Sequence, residues 1–302
     1  MFQPSGRRNV HGLAAIAEAP RAPGVYLFYS DVHLLLYVGK AIDLRRRLRQ
    51  HFPVKNTVSP RPTRQQTAAA STSWVSWVLC ESELHALVLE DKIIKDHLPI
   101  TNKKQKKFLL QQYITLEPAD KGRFTSGDIS SIPHKKGTEI FGPFSDRFAV
   151  KNIFEIAAGY FGISGMVPGI TFLPAGGPTE GAQNFRNFLI GSDDLIMEII
   201  EERMKRSAEE RRFEEAAKHR ETLAFCSRFL DRQRFIRQFA DNDLEISGES
   251  NRWVFHRGAF LDNEDPDYFA SSSRPWLLFD RALVVLIWLG KNQSRYRYRF
   301  IQ

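Results

Sequence analysis

Cysteine is scarce in this chain. Its 302 residues contain only Cys80 and Cys226, which lie 146 positions apart and form no Cys-x-x-Cys pair. A disulfide framework or a structural zinc site needs more thiols at closer spacing. The sequence therefore excludes both and favours a reducing compartment, so we expect a cytoplasmic protein.

Long hydrophobic runs are absent as well. The most apolar run, residues 282–289, is less than half of the roughly 20 residues that span a bilayer. The N-terminus has no apolar stretch of the kind that a secretory signal carries. We therefore expect no membrane partner and predict that residues 283–288 form a core β-strand.

Basic charge is confined to one part of the chain. Residues 1–110 contain 17 Lys and Arg against 8 Asp and Glu, whereas the remainder contains 26 against 27. A positive segment beside a neutral one is typical of a polyanion-binding module joined to a second part. Charge that serves only solubility is the alternative.

Hydrophobic periodicity predicts a mixed α+β chain. The first 116 residues follow a β-β-α-β-α-β pattern, with helices over 44–51 and 83–97, which indicates a small α/β sandwich. A long helical region over 193–239 has a break near Glu209 to Arg212, and the tail is aromatic and β-like. The predicted parts are an extension (1–18), the sandwich (19–116), a connecting region (117–192), a helical hairpin (193–240) and a small β-rich segment (241–302).

The first predicted helix carries groups suited to phosphate chemistry. Arg47 and His51 lie four residues apart on one face, where a guanidinium can bind a phosphate and an imidazole can move a proton. Three further arginines point elsewhere and are interpreted as contacts to a nucleic-acid backbone or as solvent-exposed charge: Arg45, Arg46 and Arg49.

Glu90 lies on an apolar face of the second predicted helix. Its neighbours one turn away are Ala86, Leu87, Ile93 and Ile94. A carboxylate in that position is costly without a strong partner, and a divalent metal ion and a core arginine are the two alternatives. Three other acidic residues nearby are interpreted as structural: Glu81, Glu83 and Asp91.

Two tyrosines, Tyr26 and Tyr37, lie on the first two predicted strands, which are expected to form a β-hairpin, and each is two residues from a glycine. Tyrosine in a strand usually packs in the core. A nearby glycine also lets a ligand approach closely, so a functional hydroxyl is the second interpretation.

These residues together resemble the signature of the GIY-YIG nuclease family. Gly24-Val25-Tyr26 is followed eleven positions later by Tyr37-Val38-Gly39-Lys40, then by the basic helix, by Leu89-Glu90 and by Pro99-Ile-Thr-Asn102. The version is similar to that of the UvrC and Cho-type excinucleases. The resemblance covers about 19–116 and implies a three-stranded antiparallel sheet flanked by helices.

The resemblance also implies a role for each motif residue. Glu90 becomes the ligand of a single Mg²⁺ or Mn²⁺ ion, and Tyr26 becomes the general base, with Tyr37 near the scissile phosphate. Lys40 and Arg47 bind that phosphate. The other expected site residues are Asn102, which holds the site together, and His51, which replaces a tyrosine common in UvrC. We expect the DNA-binding residues to be Arg45, Arg46, Arg49, Lys103 and Lys104.

Two further segments resemble parts of UvrC. Phe141-Gly-Pro-Phe144 is similar to the segment after the nuclease domain, where many UvrC proteins have a four-cysteine iron–sulfur site; this chain lacks those cysteines, so we predict no cluster. Residues 204–223 resemble the UVR motif, the hairpin that binds UvrB, although Ser207 and Arg211 depart from it. The predicted partner-binding residues are Met204, Phe213, Ala217 and Arg220; an ordinary amphipathic hairpin is the alternative.

The resemblance implies a metal-dependent endonuclease that incises one strand of a damaged DNA duplex, on the 3′ side, in UvrB-dependent nucleotide excision repair. Two alternatives stay open: a non-catalytic DNA-binding adaptor for UvrB, and a free-standing GIY-YIG nuclease of a mobile element or restriction system. We expect a structural or docking role for residues 241–302.

Overall fold

The structure is a computed structural model that describes most of the chain. The described residues are 8–9, 14–52, 68–102, 106–116, 124–132, 137–163, 180–192, 194–260 and 275–301. Contacts divide the chain into two compact units, the first comprising residues 1–108 with 260–264 and the second comprising the rest.

The first unit is built on an antiparallel sheet with the strand order β1-β4-β2-β3. The strands are β1 (Arg8–Asn9), β2 (Gly24–Tyr29), β3 (Leu35–Ala41) and β4 (Trp74–Leu79). β2 pairs on both sides, and all six of its residues are buried. The predicted three-stranded antiparallel sheet is confirmed, and β1 adds two residues at its β4 edge.

The helices α1 (Ala14–Ala17), α2 (Leu44–His51) and α3 (Glu83–His97) belong to the same unit as this sheet. The last two have the predicted bounds. The side chain of Asp43 accepts from the backbone N–H of Arg46 and begins α2, as an N-cap does. The same helix buries Leu44, Leu48 and His51 in the core of the first unit.

The second unit contains a sheet with the order β6-β5-β7. Its elements are β5 (Gln112–Leu116), β6 (Phe124–Asp128), β7 (Glu139–Phe144), α4 (Arg147–Phe161) and α5 (Glu180–Ile190). β5 falls within the predicted 19–116 domain, but it pairs with two strands of the predicted connecting region, because local sequence does not specify a strand's partners. The hydrophobic core of the second unit is rich in phenylalanine and includes Phe144, Phe154, Phe185, Phe188 and Phe229.

A helical hairpin of the second unit is formed by α6 (Leu195–Glu209) and α7 (Phe213–Asp241). The predicted break lies between them, where Arg211 has a left-handed backbone with φ 59°. Ser207, which departs from the UVR motif, is buried and its hydroxyl donates to Glu215 of the facing helix at 3.4 Å.

The C-terminal part contains a third sheet and one helix. The strand order is β10-β8-β9, from β8 (Asp243–Ser247), β9 (Arg252–Phe255) and β10 (Arg297–Ile301), and the helix is α8 (Pro275–Lys291). The prediction of a β-strand over 283–288 is therefore wrong. The buried residues Leu278, Ala282, Val285 and Leu289 recur with the period of a helix. None of the described helices combines the length and the apolar character needed to cross a membrane.

Candidate active site

The β2–β3 hairpin brings the two motif tyrosines to one face of the sheet. Tyr26 pairs with Gly39 and Phe28 pairs with Tyr37, and paired residues of antiparallel strands share a face. A Cβ atom at Gly39 would overlap the hydroxyl end of Tyr26, so glycine leaves the space that this ring occupies. The ring of Tyr26 therefore requires a glycine at position 39.

Tyr26 and His51 form a buried hydrogen-bonded pair. The Tyr26 Oη and His51 Nε2 atoms lie 2.8 Å apart, and the two rings are 5.2 Å apart between centroids. Tyr26 is fully buried and His51 is 8% exposed. The rings of Phe28 and Tyr37 complete an aromatic cluster around the pair, with the Tyr37 ring 6.0 Å from that of Tyr26.

Burial gives this pair unusual acid–base properties. Desolvation, reinforced by the neighbouring Tyr37, raises the pKa of Tyr26 well above its usual value of about 10. Desolvation together with the positive charge of Arg47 lowers the pKa of His51 to about 4. At neutral pH the phenol is therefore protonated and the imidazole is uncharged, so the imidazole retains a lone pair.

Arg47 lies one turn before His51 on α2. Its Nη1 donates to Gln50 Oε1 at 3.0 Å. Its charge lowers the pKa of Tyr26, of His51 and of Glu90. Arg47 is consequently close enough to all three groups to act on them electrostatically, and its phosphate-binding role stays a prediction.

Glu90 is buried on α3 and faces the β3 backbone. Its side chain is 8% exposed, and its Oε1 accepts from the backbone N–H of Lys40 at 3.0 Å. Desolvation raises the pKa of Glu90 to about 7, against the opposing effects of the Lys40 N–H group and charge. This hydrogen bond comes from a backbone group and not from a core arginine, which was the alternative to a metal.

The surroundings of Glu90 fit a hard divalent cation. A carboxylate oxygen is a preferred ligand of Mg²⁺ and Mn²⁺, and Mg²⁺ commonly uses one or two carboxylates with water and substrate phosphate oxygens. No group of three or more His, Cys, Asp or Glu in metal-binding arrangement occurs within the described ranges. An ion held here by Glu90 would take most of its other ligands from water and from phosphate oxygens.

Lys40 is held by an acidic residue that the sequence did not single out. Its Nζ lies 2.6 Å from Glu83 Oε1, and both side chains are about one-third exposed, at 31% and 36%. The sequence indicates a structural role for Glu83, and the structure shows that it contacts Lys40, a predicted catalytic residue. The signal was available: Glu83 precedes Glu90 by seven residues, which places both on one face of α3.

Asn102 fixes the β3 backbone beside the site. Its Oδ1 accepts from the N–H of Val38 at 2.8 Å, and its Nδ2 donates to the carbonyl of Val38 at 2.7 Å. The side chain is almost completely buried. It is therefore placed to hold in position the strand that carries Gly39 and Lys40.

The remaining predicted residues are distributed more widely. Arg45 donates through Nε to the carbonyl of Ala19 at 2.6 Å, while Arg46 and Arg49 are exposed. Lys103 and Lys104 lie outside the described residues. On the hairpin, Phe213 is 69% exposed at the start of α7. The other predicted partner-binding residues are partly or fully exposed: Met204, Ala217 and Arg220.

The chain matches a protein-family model over part of its length. Residues 22–103 match the model described as the UvrC-like GIY-YIG domain. The matched range includes both tyrosines, Lys40, Glu90 and Asn102. It confirms the resemblance that the sequence motifs indicate.

The chain is also similar to curated proteins called UvrABC system protein C. It is 27% identical to the one from Rhodococcus erythropolis (strain PR4 / NBRC 100887), over 80% of this chain and 36% of the relative. It is 29% identical to that of Mycobacterium sp. (strain KMS), over 80% and 39%, and 28% identical to that of Streptomyces avermitilis, over 85% and 40%. The chain therefore spans about two-fifths of the length of these relatives.

Among solved structures, the chain is similar to the GIY-YIG N-terminal endonuclease domain of UvrC from Thermotoga maritima, bound to its catalytic divalent cation, magnesium. The identity is 28%, and the match covers 30% of this chain and 93% of that one with a TM-score of 0.26.

Proposed function

We propose that this chain is a metal-dependent endonuclease that incises one strand of damaged DNA, on the 3′ side of the lesion, in UvrB-dependent nucleotide excision repair. The single observation that carries the nuclease assignment is the convergence, around β3, of the Tyr26–His51 pair, Lys40 and the buried Glu90. The matched family model and the names of the curated relatives support the repair context.

The Tyr26–His51 pair supplies the proton acceptor in this proposal. The hydroxyl of Tyr26 takes a proton from the attacking water while it passes its own proton to Nε2 of His51, which is free to accept when Nδ1 carries the ring proton. The raised pKa of Tyr26 and the lowered pKa of His51 both oppose a tyrosinate–imidazolium pair at rest. The transfer therefore occurs only as the water attacks.

Cationic groups of the chain act on the phosphate. Arg47 and Lys40 bind its non-bridging oxygens and stabilise the negative charge that grows there during attack. A single Mg²⁺ or Mn²⁺ ion held by Glu90 would supply Lewis-acid stabilisation of the phosphoryl and leaving oxygens. Asn102 keeps β3 in place, so that Lys40 and the hairpin tyrosines keep their mutual positions.

The remaining parts of the proposal concern partners and setting. We infer that the exposed end of the α6–α7 hairpin contacts UvrB and that the protein acts in the cytoplasm. We keep the prediction of no iron–sulfur cluster, because Cys80 and Cys226 cannot supply four thiolate ligands. DNA contacts by the arginines of α2, and by Lys103 and Lys104, also stay predictions.

The test is an incision assay on a duplex with one lesion, with Mg²⁺ or Mn²⁺ and with or without UvrB. Wild-type protein is expected to nick the damaged strand 3′ to the lesion when UvrB is present. Glu90→Gln should reduce nicking by at least about 10³-fold, by loss of the metal ligand. The matched control is Asp96→Asn, an exposed carboxylate on the same helix that pairs with Lys92.

Three results would contradict the proposal. If Glu90→Gln nicked DNA as fast as the wild type, Glu90 would not be the metal ligand. DNA binding without cleavage under any loading condition would favour the adaptor. Cleavage of undamaged DNA at a fixed sequence without UvrB would favour a free-standing nuclease.

A further inference from the structure

A cavity of about 350 Å³ lies in the second unit, at the end of the β5–β6 pair and beside the first turn of α4. This volume is near the lower end of the range in which proteins bind small molecules, about 300 to 1,000 Å³. We call it the Gln112 pocket, and its lining includes Gln112, Ser126, Asp128, Arg147 and Val150. None of these residues belongs to the candidate active site, so that site does not account for the pocket.

The pocket lies where the inner face of the sheet changes from apolar to polar. Gln112 is opposite Asp128 in the β5–β6 pair, and the next pair on the same face joins Ile114 to Ser126. Ile114 is fully buried in the hydrophobic core of the unit. Polar side chains therefore continue the core face at this end of the sheet, and the burial of Gln112 shows that they are not merely its solvent-exposed margin.

Gln112 is buried, but the oxygen of its carboxamide is not used by the protein. The residue is 8% exposed. Its Nε2 makes only long hydrogen bonds, to the carbonyls of Leu110 at 3.4 Å and Gln111 at 3.5 Å. Within the described part of the chain, no group donates to its Oε1. Because buried polar groups are normally hydrogen-bonded, this oxygen is placed to accept from a ligand in the pocket.

Asp128 and Arg147 give the pocket one negative and one positive group. The Oδ1 of Asp128 accepts from the N–H of Ser130 at 3.0 Å and from its hydroxyl at 2.6 Å. These hydrogen bonds, together with the charge of Arg147, lower the pKa of Asp128, so its carboxylate is ionised at neutral pH. Arg147 is exposed and forms no ion pair with any described residue. Its guanidinium donors are thus available to an anionic group at the mouth of the pocket.

The N-terminus of α4 is not itself the binding site. The N-cap Asp146 already accepts from the N–H groups of Phe148 and Ala149, both at 2.9 Å. Side chains must therefore recognise the ligand. Val150 adds an apolar surface one turn after Arg147 on the same face of α4. A ligand that fits has an apolar body, a hydrogen-bond donor at one end and a negative charge at the other.

We propose that the Gln112 pocket binds a single nucleotide whose base carries an exocyclic amino group. The amino group donates to Gln112 Oε1, and the phosphate is bound by the guanidinium of Arg147, which can form two parallel hydrogen bonds to it. Adenine, cytosine and guanine have such an amino group, whereas thymine has none. The carboxylate of Asp128 is a second acceptor for N–H groups of the base.

The identification of the ligand as a nucleotide rests on the proposed function, since the substrate of a nuclease is a chain of nucleotides. The need for a donor at Gln112 and an anion at Arg147 does not rest on it. Two sources supply the same chemistry. One is a free nucleotide, and the other is a base of the DNA strand that has left the helix, as a base must do to enter a protein pocket.

Calorimetry with matched nucleotides tests the role of the amino group. Deoxyadenosine and deoxyinosine monophosphates differ only by an amino group in place of a keto group, as do deoxycytidine and deoxyuridine monophosphates. In the presence of EDTA, the amino member of at least one pair should bind with a Kd of about 1 mM or lower, and at least about fivefold more tightly than its keto partner. Equal affinities within both pairs, or no binding of any of the four, would overturn the proposal.

Gln112→Met removes the acceptor and keeps the length of the side chain. This variant should lose the preference for the amino base. The matched control is Gln233→Met, because Gln233 is another buried glutamine, 5% exposed, that lies on α7 and does not line the pocket. Retention of the preference by Gln112→Met would overturn the proposal, as would its loss in both variants. Circular dichroism verifies that both variants keep the fold.

Arg147→Met tests the phosphate contact on an exposed residue, where folding is not at risk. Wild-type protein should bind the preferred nucleotide about tenfold more tightly than the corresponding nucleoside, and Arg147→Met should remove this difference. The control is Lys151→Met, which removes a cation one turn later on α4 that pairs with Glu155 instead. If wild-type protein bound nucleotide and nucleoside equally, Arg147 would not hold a phosphate and the proposal would fail.

Fluorescence anisotropy in EDTA then separates the two sources of the ligand. The probes are a fully paired duplex and the same duplex with one additional, unpaired adenosine or cytidine nucleotide. If Gln112→Met weakens binding of the second duplex only, the ligand is a base of the DNA strand; if it weakens binding of nucleotides but of neither duplex, the ligand is a free nucleotide. Failure of wild-type protein to cut DNA would leave these binding results intact, and failure to bind nucleotides would leave the incision assay intact.

Discussion

Lys40 contacts two glutamates of α3 through two different groups: its Nζ lies 2.6 Å from Glu83 Oε1, and its backbone N–H donates to Glu90 at 3.0 Å. One residue thus joins the hairpin to the helix that carries the proposed metal ligand. We infer that Glu83 is a positioning residue, because it contacts the ammonium group of Lys40, the proposed phosphate-binding group.

Glu83→Gln should slow incision by up to about tenfold, because the ammonium group of Lys40 loses its anchor. The free energy of unfolding should change by less than about 1 kcal/mol, since both side chains are one-third exposed. Single-turnover incision and urea unfolding measure the two effects. Faster incision by the variant would contradict a positioning role for Glu83, and would instead show that Glu83 competes with the phosphate for Lys40.

Tyr26→Phe should reduce incision by about 10²- to 10⁴-fold, the usual contribution of a positioned proton acceptor. The buried His51 loses its hydrogen-bond partner, so stability should fall by about 1–3 kcal/mol. Tyr29→Phe is the matched control: Tyr29 is also a buried β2 tyrosine, but its hydroxyl accepts from Ser76 instead. Equal activity of the two variants would remove Tyr26 from the mechanism.

The pKa values of His51 and Glu90 predict opposite effects of pH on stability. Burial lowers the pKa of His51 to about 4 from an ordinary value near 6.5, so between these values the unfolded chain binds more protons and stability falls as pH falls. Burial raises the pKa of Glu90 to about 7 from near 4.5, so stability rises as pH falls through that window. Each contribution amounts to about 3 kcal/mol, and the two nearly cancel.

Variants that remove one of these two groups should reveal the pH dependence of stability that the other group causes. His51→Phe should become more stable as pH is lowered from 7 to 4.5, and Glu90→Gln should become less stable over the same range. Urea unfolding at several pH values, for both variants and the wild type, checks the two slopes. Parallel curves for all three proteins would show that neither group titrates as its burial implies.

Metal affinity should depend on pH through Glu90. Because the metal-free carboxyl has a pKa of about 7, binding of Mn²⁺ below that pH must displace a proton. The apparent affinity should rise about tenfold per pH unit up to about 7 and then level off. Calorimetry with Mn²⁺ measures this, with Glu90→Gln expected to abolish binding and Asp96→Asn to leave it unchanged. Affinity independent of pH would exclude Glu90 as the ligand.

Phe213→Ala should weaken binding to UvrB by tenfold or more, as expected for a central aromatic anchor. Its stability should change by less than about 0.5 kcal/mol, because the ring is 69% exposed. Phe148→Ala is the matched control, since Phe148 is another exposed phenylalanine at the start of a helix. Calorimetry with purified UvrB distinguishes them, and equal affinities would reject the hairpin end as the contact.

The sequence specifies the local elements of the first unit well. Asp43 and Ser82 are strong N-caps, Pro53 and Pro99 follow the helices closely, and the apolar periodicity is regular, so α2 and α3 have the predicted bounds. The order of the motif residues along the hairpin and α3 then makes their convergence foreseeable.

Other features depend on tertiary context and could not be read from local patterns. α8 contains aromatic and β-branched residues, which favour strands, but burial of a helically spaced set of its residues stabilises a helix instead. The partners of β5 come from residues further along the chain. The Lys40–Glu83 contact joins residues 43 positions apart.

The carboxamide of Asn102 satisfies both backbone groups of Val38, and the N–H of Thr101 donates to the carbonyl of Leu36 nearby. β3 is the edge strand of its sheet, and an exposed edge can recruit a strand from another molecule. These contacts occupy the edge next to Gly39 and Lys40. The strand that borders the candidate site is thereby protected from intermolecular β-pairing, so the site can stay open to a ligand without making the protein prone to aggregate there.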